Sequence, residues 1–398
     1  MNQLRWLVLL IVISQLLTAF VGRSLNPFAA YIGESFALTN FQIGFLPTAL
    51  FVGQFLATLP MGFIADYVAT HRLMLLLMSI VGGGFLLLAT IAGSYFLALL
   101  FIMLAGLGYG GMHPVTNKML VQLYPIEKIA LPMGIKQMSI TLGSALSSIV
   151  LIAIAEQIGW QPTIMMASLL LLIMGVFIYL LLRSHEETFR SHRATEASLV
   201  AHLKKLMSST PLFFTTLIAL ILMGTQVTFN TYILLYLVEV KVWAVYLAAL
   251  ALACSEIFGA IGRVLWGVIS DKFLRSNRWL ALLMIALWVP LALYGLHIVH
   301  DRLLLFFVIA TIGFSLSGFN GVWMSLAVES VPKTLSGSAS GYSVTFASVG
   351  VFIIPPLFGL ILDKASYVQA GTFLAYVSGL CALIIVALLF SQKRKSVV

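Results

Sequence analysis

Hydrophobic residues fill twelve long runs of this 398-residue chain, and short stretches of polar residues, glycine or proline separate the runs. Nearly every run exceeds the roughly 18 to 20 residues that a helix needs to cross about 30 Å of hydrocarbon. The alternation of apolar and polar positions that marks a membrane β-barrel is absent from the sequence. The pattern predicts an all-α membrane protein of twelve transmembrane helices, at about 5–34, 41–65, 72–93, 96–123, 130–157, 161–183, 211–238, 242–270, 279–299, 302–328, 335–364 and 369–391.

The amino-acid composition also indicates a membrane protein. Hydrophobic residues make up 61% of the chain and charged residues 9%, whereas a soluble surface normally needs roughly a quarter charged residues. The net charge of +9 lies mostly in loops beside the runs, where membrane topology explains it better than nucleic acid does. Cys254 and Cys381 lie inside apolar runs and offer neither a disulfide framework nor a metal cluster. We expect a lipid bilayer as the environment, no nucleic-acid partner, and no metal or cofactor.

The charged loops predict the orientation of the helices. One substantial hydrophilic segment, 184–210, separates an N-terminal six-helix bundle at 1–183 from a C-terminal six-helix bundle at 211–398. The face that carries both termini and this linker holds 15 lysine and arginine residues, and the opposite face holds three. Since basic loops tend to remain in the cytoplasm, the sequence predicts a multi-pass inner-membrane protein with cytoplasmic termini and linker.

The two halves repeat each other. The stretch "GFIAD" in the first half recurs as "GVISD" in the second at an offset of 205 residues. Five further small or helix-bending residues recur at an offset of 207, pairing Gly106, Gly111, Pro125, Gly134 and Gly143 with Gly313, Gly318, Pro332, Gly341 and Gly350. Duplicated bundles of this kind place a substrate near the membrane midplane and rock around it. The repeat therefore indicates a transporter with two pseudo-symmetric bundles.

These repeated stretches resemble the loop motif of the major facilitator superfamily, and the resemblance extends over the whole chain. The motif places a glycine, an acidic residue and basic residues at the cytoplasmic end of a helix. Its members here are Gly62, Asp66 and Arg72 in the first half and Gly267, Asp271, Lys272 and Arg275 in the second. The resemblance implies a gate in which the glycine allows close helix approach and the carboxylate pairs with a cation or a helix N-terminus. The alternative is that these residues only cap helices and set topology.

A second resemblance concerns the kind of substrate. Arg263, Gly267 and Asp271 follow each other at four-residue spacing, which resembles the eighth helix of the oxalate and monocarboxylate transporters. In that branch the arginine contacts the substrate carboxylate. The fourth-helix arginine of many drug/proton antiporters would stand at Met103, and their fifth-helix Gly-x-x-x-Gly-Pro motif is absent. Both departures weaken a drug-export interpretation.

Ionisable residues within the predicted spans favour an anionic substrate. Four cations, Arg23, Lys118, Lys136 and Arg263, stand against one carboxylate, Glu256. Each such charge costs about 2.5–3.5 kcal/mol on insertion scales, so it is expected to face a partner or a cavity. A cavity with excess positive charge favours a small anion.

Each cation also has an alternative role. Arg263 can grip a carboxylate through two parallel hydrogen bonds; a structural ion pair with Glu256 would have to bridge about 10.5 Å along one helix. Arg23 precedes Pro27, which is expected to break the first helix and expose backbone groups to a ligand. Arg23, Lys118 and Lys136 can instead extend towards the membrane faces.

Other polar residues complete the predicted site. Glu256 is expected to couple proton movement to transport, and His113 is a second candidate because imidazole titrates near neutrality. The alternative for His113 is an ordinary hydrogen-bonded position in the packing. Residues expected to shape the substrate pocket, rather than only to pack, are Asn26, Gln226, Asn230, Tyr232, Asn320 and Trp323.

Together these observations predict a secondary active transporter of a small organic anion, with a carboxylate as the expected substrate. We expect proton symport by rocker-switch alternating access and a monomer, although exchange and uniport stay open. A proton-coupled drug or metabolite efflux antiporter is the first alternative, and a non-transporting receptor or sensor on the same fold is the second. No nucleophile–base arrangement is evident, so the chain is not expected to be an enzyme.

Overall fold

A computed structural model describes residues 2–124, 130–185, 187–189, 206–274, 277–331 and 336–395. Within these ranges, twelve helices are long and apolar enough to cross a membrane, and no strand occurs. The predicted all-α fold of twelve spans is therefore confirmed.

Most spans are single helices, and four of them are interrupted. The α-helices are α1 (Asn2–Gly22), α2 (Leu25–Ser35), α3 (Asn40–Tyr67), α4 (Thr70–Ile91), α5 (Tyr95–Leu123), α6 (Ala130–Leu146), α7 (Ile152–Ile158), α8 (Trp160–Arg183), α9 (Thr210–Glu239), α10 (Val245–Lys272), α11 (Arg278–Ile298), α12 (Arg302–Ile312), α13 (Phe319–Glu329), α14 (Ser336–Ala347), α15 (Val349–Lys364) and α16 (Tyr367–Lys395). Two π-helical segments, Ser147–Leu151 and Gly313–Ser317, connect α6 to α7 and α12 to α13.

The chain divides into two compact units. Unit 1 comprises 1–38, 45–198 and 243–253, and unit 2 comprises 39–44, 199–242 and 254–398. Most of the predicted linker lies outside the described residues, so the domain boundaries drawn from the sequence stay a prediction.

Glycines of the internal repeat make equivalent close contacts in both units. A Cβ at Gly106 would collide with the carbonyl oxygen of Leu50, and one at Gly313 would collide with that of Ser255. Likewise, Gly143 lies against the Leu16 carbonyl and Gly350 against the Leu220 carbonyl. Small residues allow helix backbones to approach this closely in membranes. The repeat seen in the sequence is therefore a repeat of helix packing.

The glycines of the loop motif do not pack in this way. A Cβ at Gly62 would meet the Pro114 Cβ at 3.9 Å, an ordinary van der Waals distance. A Cβ at Gly267 would meet no described atom within 4 Å. Among the described residues, the close contacts therefore lie at other glycines of the repeat, and the role expected for Gly62 and Gly267 in a gate stays a prediction.

The first span breaks between α1 and α2, as expected from Pro27, although the break lies several residues before the proline. Proline has no backbone N–H and cannot donate to the carbonyl four residues earlier, that of Arg23. The Arg23 carbonyl instead accepts from the Asn26 N–H at 3.1 Å. The loss of one helical hydrogen bond thus places Arg23 at the break.

Three other interruptions were not predicted. The sequence predicts continuous helices at 130–157, 302–328 and 335–364, but the first two contain the π-helical segments and the third is interrupted at Ser348. The Ser348 hydroxyl donates to the Val344 carbonyl at 2.9 Å, a contact that often bends helices. Hydrophobic pattern alone does not report such local shifts in hydrogen bonding.

A carboxylate in unit 2 caps the first turn of α3. Asp363, near the end of α15, accepts the backbone N–H groups of Asn40 and Phe41, each at 2.8 Å. The Asn40 carbonyl in turn accepts from the Tyr232 hydroxyl at 2.6 Å. The first N–H groups of a helix lack intrahelical partners and carry partial positive charge, so a carboxylate stabilises them. The Asp363 side chain therefore binds residues 39–44 to the rest of unit 2.

Replacing Asp363 with alanine is expected to lower the melting temperature of the detergent-purified protein, because two helix N–H groups lose their acceptor. The expected loss is about 1 kcal/mol, the usual value of a helix N-cap. Asp301→Ala is the matched control, because Asp301 caps only its own helix by accepting the Leu304 N–H. An Asp363→Ala protein that melts at the wild-type temperature would contradict this role.

Candidate functional site

In unit 1, Arg23 lies at the α1–α2 break and contacts aromatic side chains. Its Nε donates to the Tyr109 hydroxyl at 2.9 Å, and its guanidinium carbon lies 5.4 Å from the centre of the Phe51 ring. Tyr109 is fully buried on α5, and its ring packs edge-on against His113 at 5.7 Å between centroids. A guanidinium among aromatic faces is stabilised while keeping its charge. The structure thus places both Arg23 and His113 in contact with Tyr109.

The two lysines within the spans of unit 1 donate to neutral oxygens. Lys136 is fully buried on α6, and its Nζ donates to the Asn117 Oδ1 at 2.9 Å. Lys118 donates to the Ala65 carbonyl at 2.6 Å, near the C-terminus of α3. A lysine at the last carbonyls of a helix is a common stabilising arrangement. The geometry of Lys118 therefore supports its alternative structural role, whereas Lys136 is placed deep within the unit.

Asn26 is the remaining predicted pocket residue of unit 1. It is buried on α2, and its Nδ2 has no hydrogen-bond partner among the described residues. A buried amide donor without a partner carries a free-energy penalty. Asn26 is therefore a reasonable donor for a ligand or an ordered water.

In unit 2, three predicted pocket residues converge on Ser317, a residue that the sequence did not single out. The Ser317 carbonyl accepts from the Nε of Arg263 at 3.3 Å and from the Nδ2 of Asn320 at 2.9 Å. The Ser317 hydroxyl accepts from the Nε2 of Gln226 at 2.9 Å. Asn320 also donates to the Gln226 Oε1 at 3.3 Å. The structure thus brings Arg263, Gln226 and Asn320 together within unit 2; their role in substrate binding stays a prediction.

The π-helical segment supplies the acceptors of this cluster. In a regular α-helix the Ser317 carbonyl would accept from the Gly321 N–H, but that N–H donates to the Gly318 carbonyl at 3.3 Å. Two side chains of α10, about one turn apart, donate to carbonyls of the segment. Arg263 donates to that of Ser317, and the Trp266 Nε1 donates to that of Phe314 at 3.1 Å. π-Helical turns are rare in proteins as a whole, but those that occur are often found at functional sites.

The buried carboxylate of unit 2 has an amide neighbour. Glu256 on α10 is 2% exposed, and the Nδ2 of Asn230 on α9 donates to its Oε1 at 2.5 Å. Asn230 is fully buried, and its own Oδ1 has no partner among the described residues. The structure therefore groups Asn230 with the candidate proton-coupling residue.

Tyr232 and Trp323 have polar atoms engaged by protein groups. The Tyr232 hydroxyl donates to the Asn40 carbonyl, as described above, and its ring lies 4.7 Å from that of Phe358. The Trp323 Nε1 donates to the Ser343 hydroxyl at 2.9 Å, and its ring stacks on Phe319. Buried tyrosine and tryptophan usually find such partners. These contacts favour packing for both residues.

At the predicted cytoplasmic end of unit 2, Arg278 joins two carboxylates. Its Nη1 lies 3.0 Å from the Asp271 Oδ1, and its Nε lies 2.8 Å from the Glu329 Oε1. The sequence assigned Arg275 to this motif, but Arg275 lies outside the described residues. Arg72 stands 206 residues before Arg278, so the repeat offset contained the signal for the cation that pairs with Asp271.

The first copy of the motif differs in charge. Arg72 is exposed on α4, and the side chain of Asp66 lies outside the described residues. The position that corresponds to Glu329 at an offset of 207 is Gln122, whose Oε1 accepts from the Thr70 hydroxyl at 3.0 Å. The second carboxylate of unit 2 is therefore a neutral amide in unit 1.

Between α9 and α10, burial lowers the pKa of Lys241 from its usual range. Its Nζ donates to the Val299 carbonyl at 2.8 Å and lies 5.8 Å from the centre of the Tyr236 ring. Both partners are neutral, so they compensate the desolvation only in part. This lysine is held at the end of the unit 2 helices rather than in the cluster around Ser317.

These features define a class: a multi-pass helical membrane protein built from a duplicated bundle, with charged and amide side chains held inside its spans. Residues 11–355 match the model of the Major Facilitator Superfamily. The chain therefore belongs to the Major Facilitator Superfamily.

Individual relatives are more distant. The chain is 26% identical over 272 residues to an uncharacterized MFS-type transporter of Mycobacterium tuberculosis (strain H37Rv); the match covers 68% of this chain and 60% of that protein. It is 23% identical to the probable sulfoacetate transporter SauU of Cupriavidus necator, over 87% of this chain and 84% of that protein. The crystal structure of the nucleoside transporter NupG has the same fold, with a TM-score of 0.77 at 14% identity, covering 96% of this chain and 99% of that one. The named relatives are transporters rather than enzymes.

Replacing Arg278 with methionine is expected to lower the melting temperature, since two carboxylates would lose their shared cation. The effect is expected to be below about 1 kcal/mol and to shrink in high salt, because both carboxylates are about half exposed and the Debye length falls to about 3 Å at 1 M salt. Melting curves at low and high salt measure it, with Arg302→Met as a control at another helix start. A decrease that is the same at both salt concentrations would contradict an ionic role.

Proposed function

We propose that this protein is a secondary transporter of a small organic anion, with Arg263 as the principal anchor of the acidic group. The observation that carries the proposal is the cluster in unit 2. A guanidinium lies within a membrane span, and two amide side chains, those of Gln226 and Asn320, are held beside it by Ser317. A planar guanidinium binds a carboxylate or a sulfonate through parallel hydrogen bonds, and neighbouring amides add directional donors and acceptors.

The charges elsewhere in the spans support an anion. Two further cations of the spans, Arg23 and Lys136, donate to the Tyr109 hydroxyl and to the Asn117 Oδ1. A positively charged interior raises the local concentration of anions. The similarity to a probable sulfoacetate transporter supports the same substrate class, because sulfoacetate carries two acidic groups.

Proton coupling is proposed for Glu256. Inward movement of an anion against an inside-negative membrane potential needs a compensating cation, since each charge experiences about 2.3 kcal/mol per 100 mV. A buried carboxylate that an amide holds in place is suited to bind and release a proton as its surroundings change. We propose symport by alternating access of the duplicated halves, with the Asp271–Arg278–Glu329 contacts stabilising one of the two states.

The anchor can be tested by ligand-induced thermal stabilisation. Purified protein is melted with sulfoacetate, mono- and dicarboxylates, sugar acids, inorganic anions and lipophilic cations. A ligand at 100 times its Kd adds about 2.7 kcal/mol of stability. We expect an organic acid to stabilise the wild type, Arg263→Ala to lose this response, and Arg263→Lys to retain a weaker one because a lysine lacks the guanidinium fork.

Arg302→Ala is the control for this test, because Arg302 is an exposed arginine at the start of α12. It is expected to respond to ligand like the wild type. Stabilisation by lipophilic cations alone would overturn the anion proposal and support the efflux alternative. Wild-type stabilisation in Arg263→Ala would remove Arg263 as the anchor.

Coupling can be tested in proteoliposomes with the acid that the panel identifies. Glu256→Gln removes the titrating group and keeps its shape, so we expect accumulation driven by a pH gradient to be lost while exchange across the membrane continues. Glu239→Gln is the control, because Glu239 lies at the end of α9, where it accepts from the Tyr367 hydroxyl. Normal proton-driven accumulation by Glu256→Gln would exclude Glu256 from coupling.

A further inference from the structure

Ser317 is the common partner of three side chains that the proposed site uses. It is 2% exposed and ends the π-helical segment Gly313–Ser317. Its carbonyl oxygen accepts from Arg263 and Asn320, and its hydroxyl accepts from Gln226.

The irregular helix explains why one residue serves so many donors. The Gly321 N–H donates to the Gly318 carbonyl, so the Ser317 carbonyl is available to side chains at the point where the π-helical segment ends. Within a regular helix that oxygen would accept from the Gly321 N–H. The local change of helix type thus creates a polar acceptor within an apolar span.

Close packing fixes Ser317 against α10. A Cβ at Gly259 would collide with the Ser317 Cβ, and one at Gly262 would collide with the Phe314 carbonyl. The two glycines are three residues apart on one helix, so they present one face to the π-helical segment. The backbone of the segment therefore cannot shift freely, and Arg263, the next residue on α10 after Gly262, is held against a rigid support.

From this arrangement we propose that Ser317 is a positioning residue that presents Arg263 and Gln226 as a fixed pair. The inference rests on the proposed function and narrows its substrate class. The guanidinium receives the acidic group, and the Gln226–Asn320 amide pair receives a second hydrogen-bonding group of the same substrate. The site therefore selects bifunctional organic acids over simple monocarboxylates. Fixing donors before binding reduces the ordering that binding requires.

The test compares two probes, sulfoacetate and acetate, on purified variants. Ser317→Ala deletes the hydroxyl and keeps the backbone carbonyl, so Gln226 loses its acceptor while Arg263 keeps its contact. Sulfoacetate affinity is expected to fall about tenfold, in line with the loss of one buried hydrogen bond, whereas weak acetate binding is expected to change little. A purely structural role would lower the affinities for both probes by similar factors.

A double-mutant cycle with Gln226→Leu tests whether the two side chains act together. If Ser317 acts through Gln226, the double variant is expected to bind sulfoacetate as Gln226→Leu alone does. Ser315→Ala is the matched control: Ser315 is 2% exposed in the same π-helical segment, and no described hydrogen bond joins it to Gln226. It is expected to keep wild-type affinity and selectivity.

The outcomes separate this proposal from the proposed function. Sulfoacetate binding that is lost in Arg263→Ala but unchanged in Ser317→Ala would overturn the positioning role and leave the anion site standing. Independent, multiplicative losses in the cycle would also overturn it, as would an equal loss in Ser315→Ala. Binding of neither sulfoacetate nor any other organic acid to folded wild-type protein would contradict the proposed function itself.

Discussion

The free energy of placing a charge or an unsatisfied polar group in hydrocarbon determines how this protein is built. Each charged side chain at mid-span depth costs several kcal/mol unless protein groups or a polar cavity receive it. Arg263 meets this condition through a backbone carbonyl, and Arg23 meets it through a phenol and an aromatic face. The proposal of an anionic substrate rests on these positive side chains within the spans.

Helix irregularities provide much of this polar support. Pro27 leaves the Arg23 carbonyl without its usual donor and breaks the first span at Arg23 itself. There the Arg23 carbonyl accepts from the backbone N–H of Asn26. At the π-helical segment before Gly318, the Ser317 carbonyl accepts from side chains instead. In a membrane, broken helical hydrogen bonds persist only where other groups replace them. At Ser317, the helix irregularity supplies a carbonyl acceptor, and the polar side chains of Arg263 and Asn320 supply its donors.

The twelve-span fold could be predicted from the sequence, because run length and hydropathy are strong signals for membrane helices. The charged residues within the spans could be listed once the spans were known. Three of the residues that the sequence indicated for the substrate pocket, Arg263, Gln226 and Asn320, share Ser317 as a hydrogen-bond partner. It did not reveal Ser317, since a π-helical turn arises from a one-residue shift in hydrogen bonding that leaves the hydrophobic pattern unchanged. The repeat does contain a signal for the cation that pairs with Asp271, namely the offset of 206 residues between Arg72 and Arg278.

The close helix contacts among the described residues lie at glycines outside the loop motif. Gly106 and Gly313 lie against backbone carbonyls, whereas a Cβ at Gly62 would meet its nearest described atom at 3.9 Å. The sequence shows where a glycine leaves room for a second helix. Only the structure shows whether a neighbouring helix backbone packs into that room.

The central claim is that the guanidinium of Arg263 binds the acidic group of a small organic anion. A cryo-electron microscopy or crystal structure of the protein with sulfoacetate, or with the organic acid that stabilises it most, tests this directly. The account predicts ligand density with acidic oxygens about 2.7–2.9 Å from the Arg263 guanidinium nitrogens, the usual range for charge-assisted hydrogen bonds. Density for the acid away from Arg263, or density for a lipophilic cation beside Glu256, would contradict it.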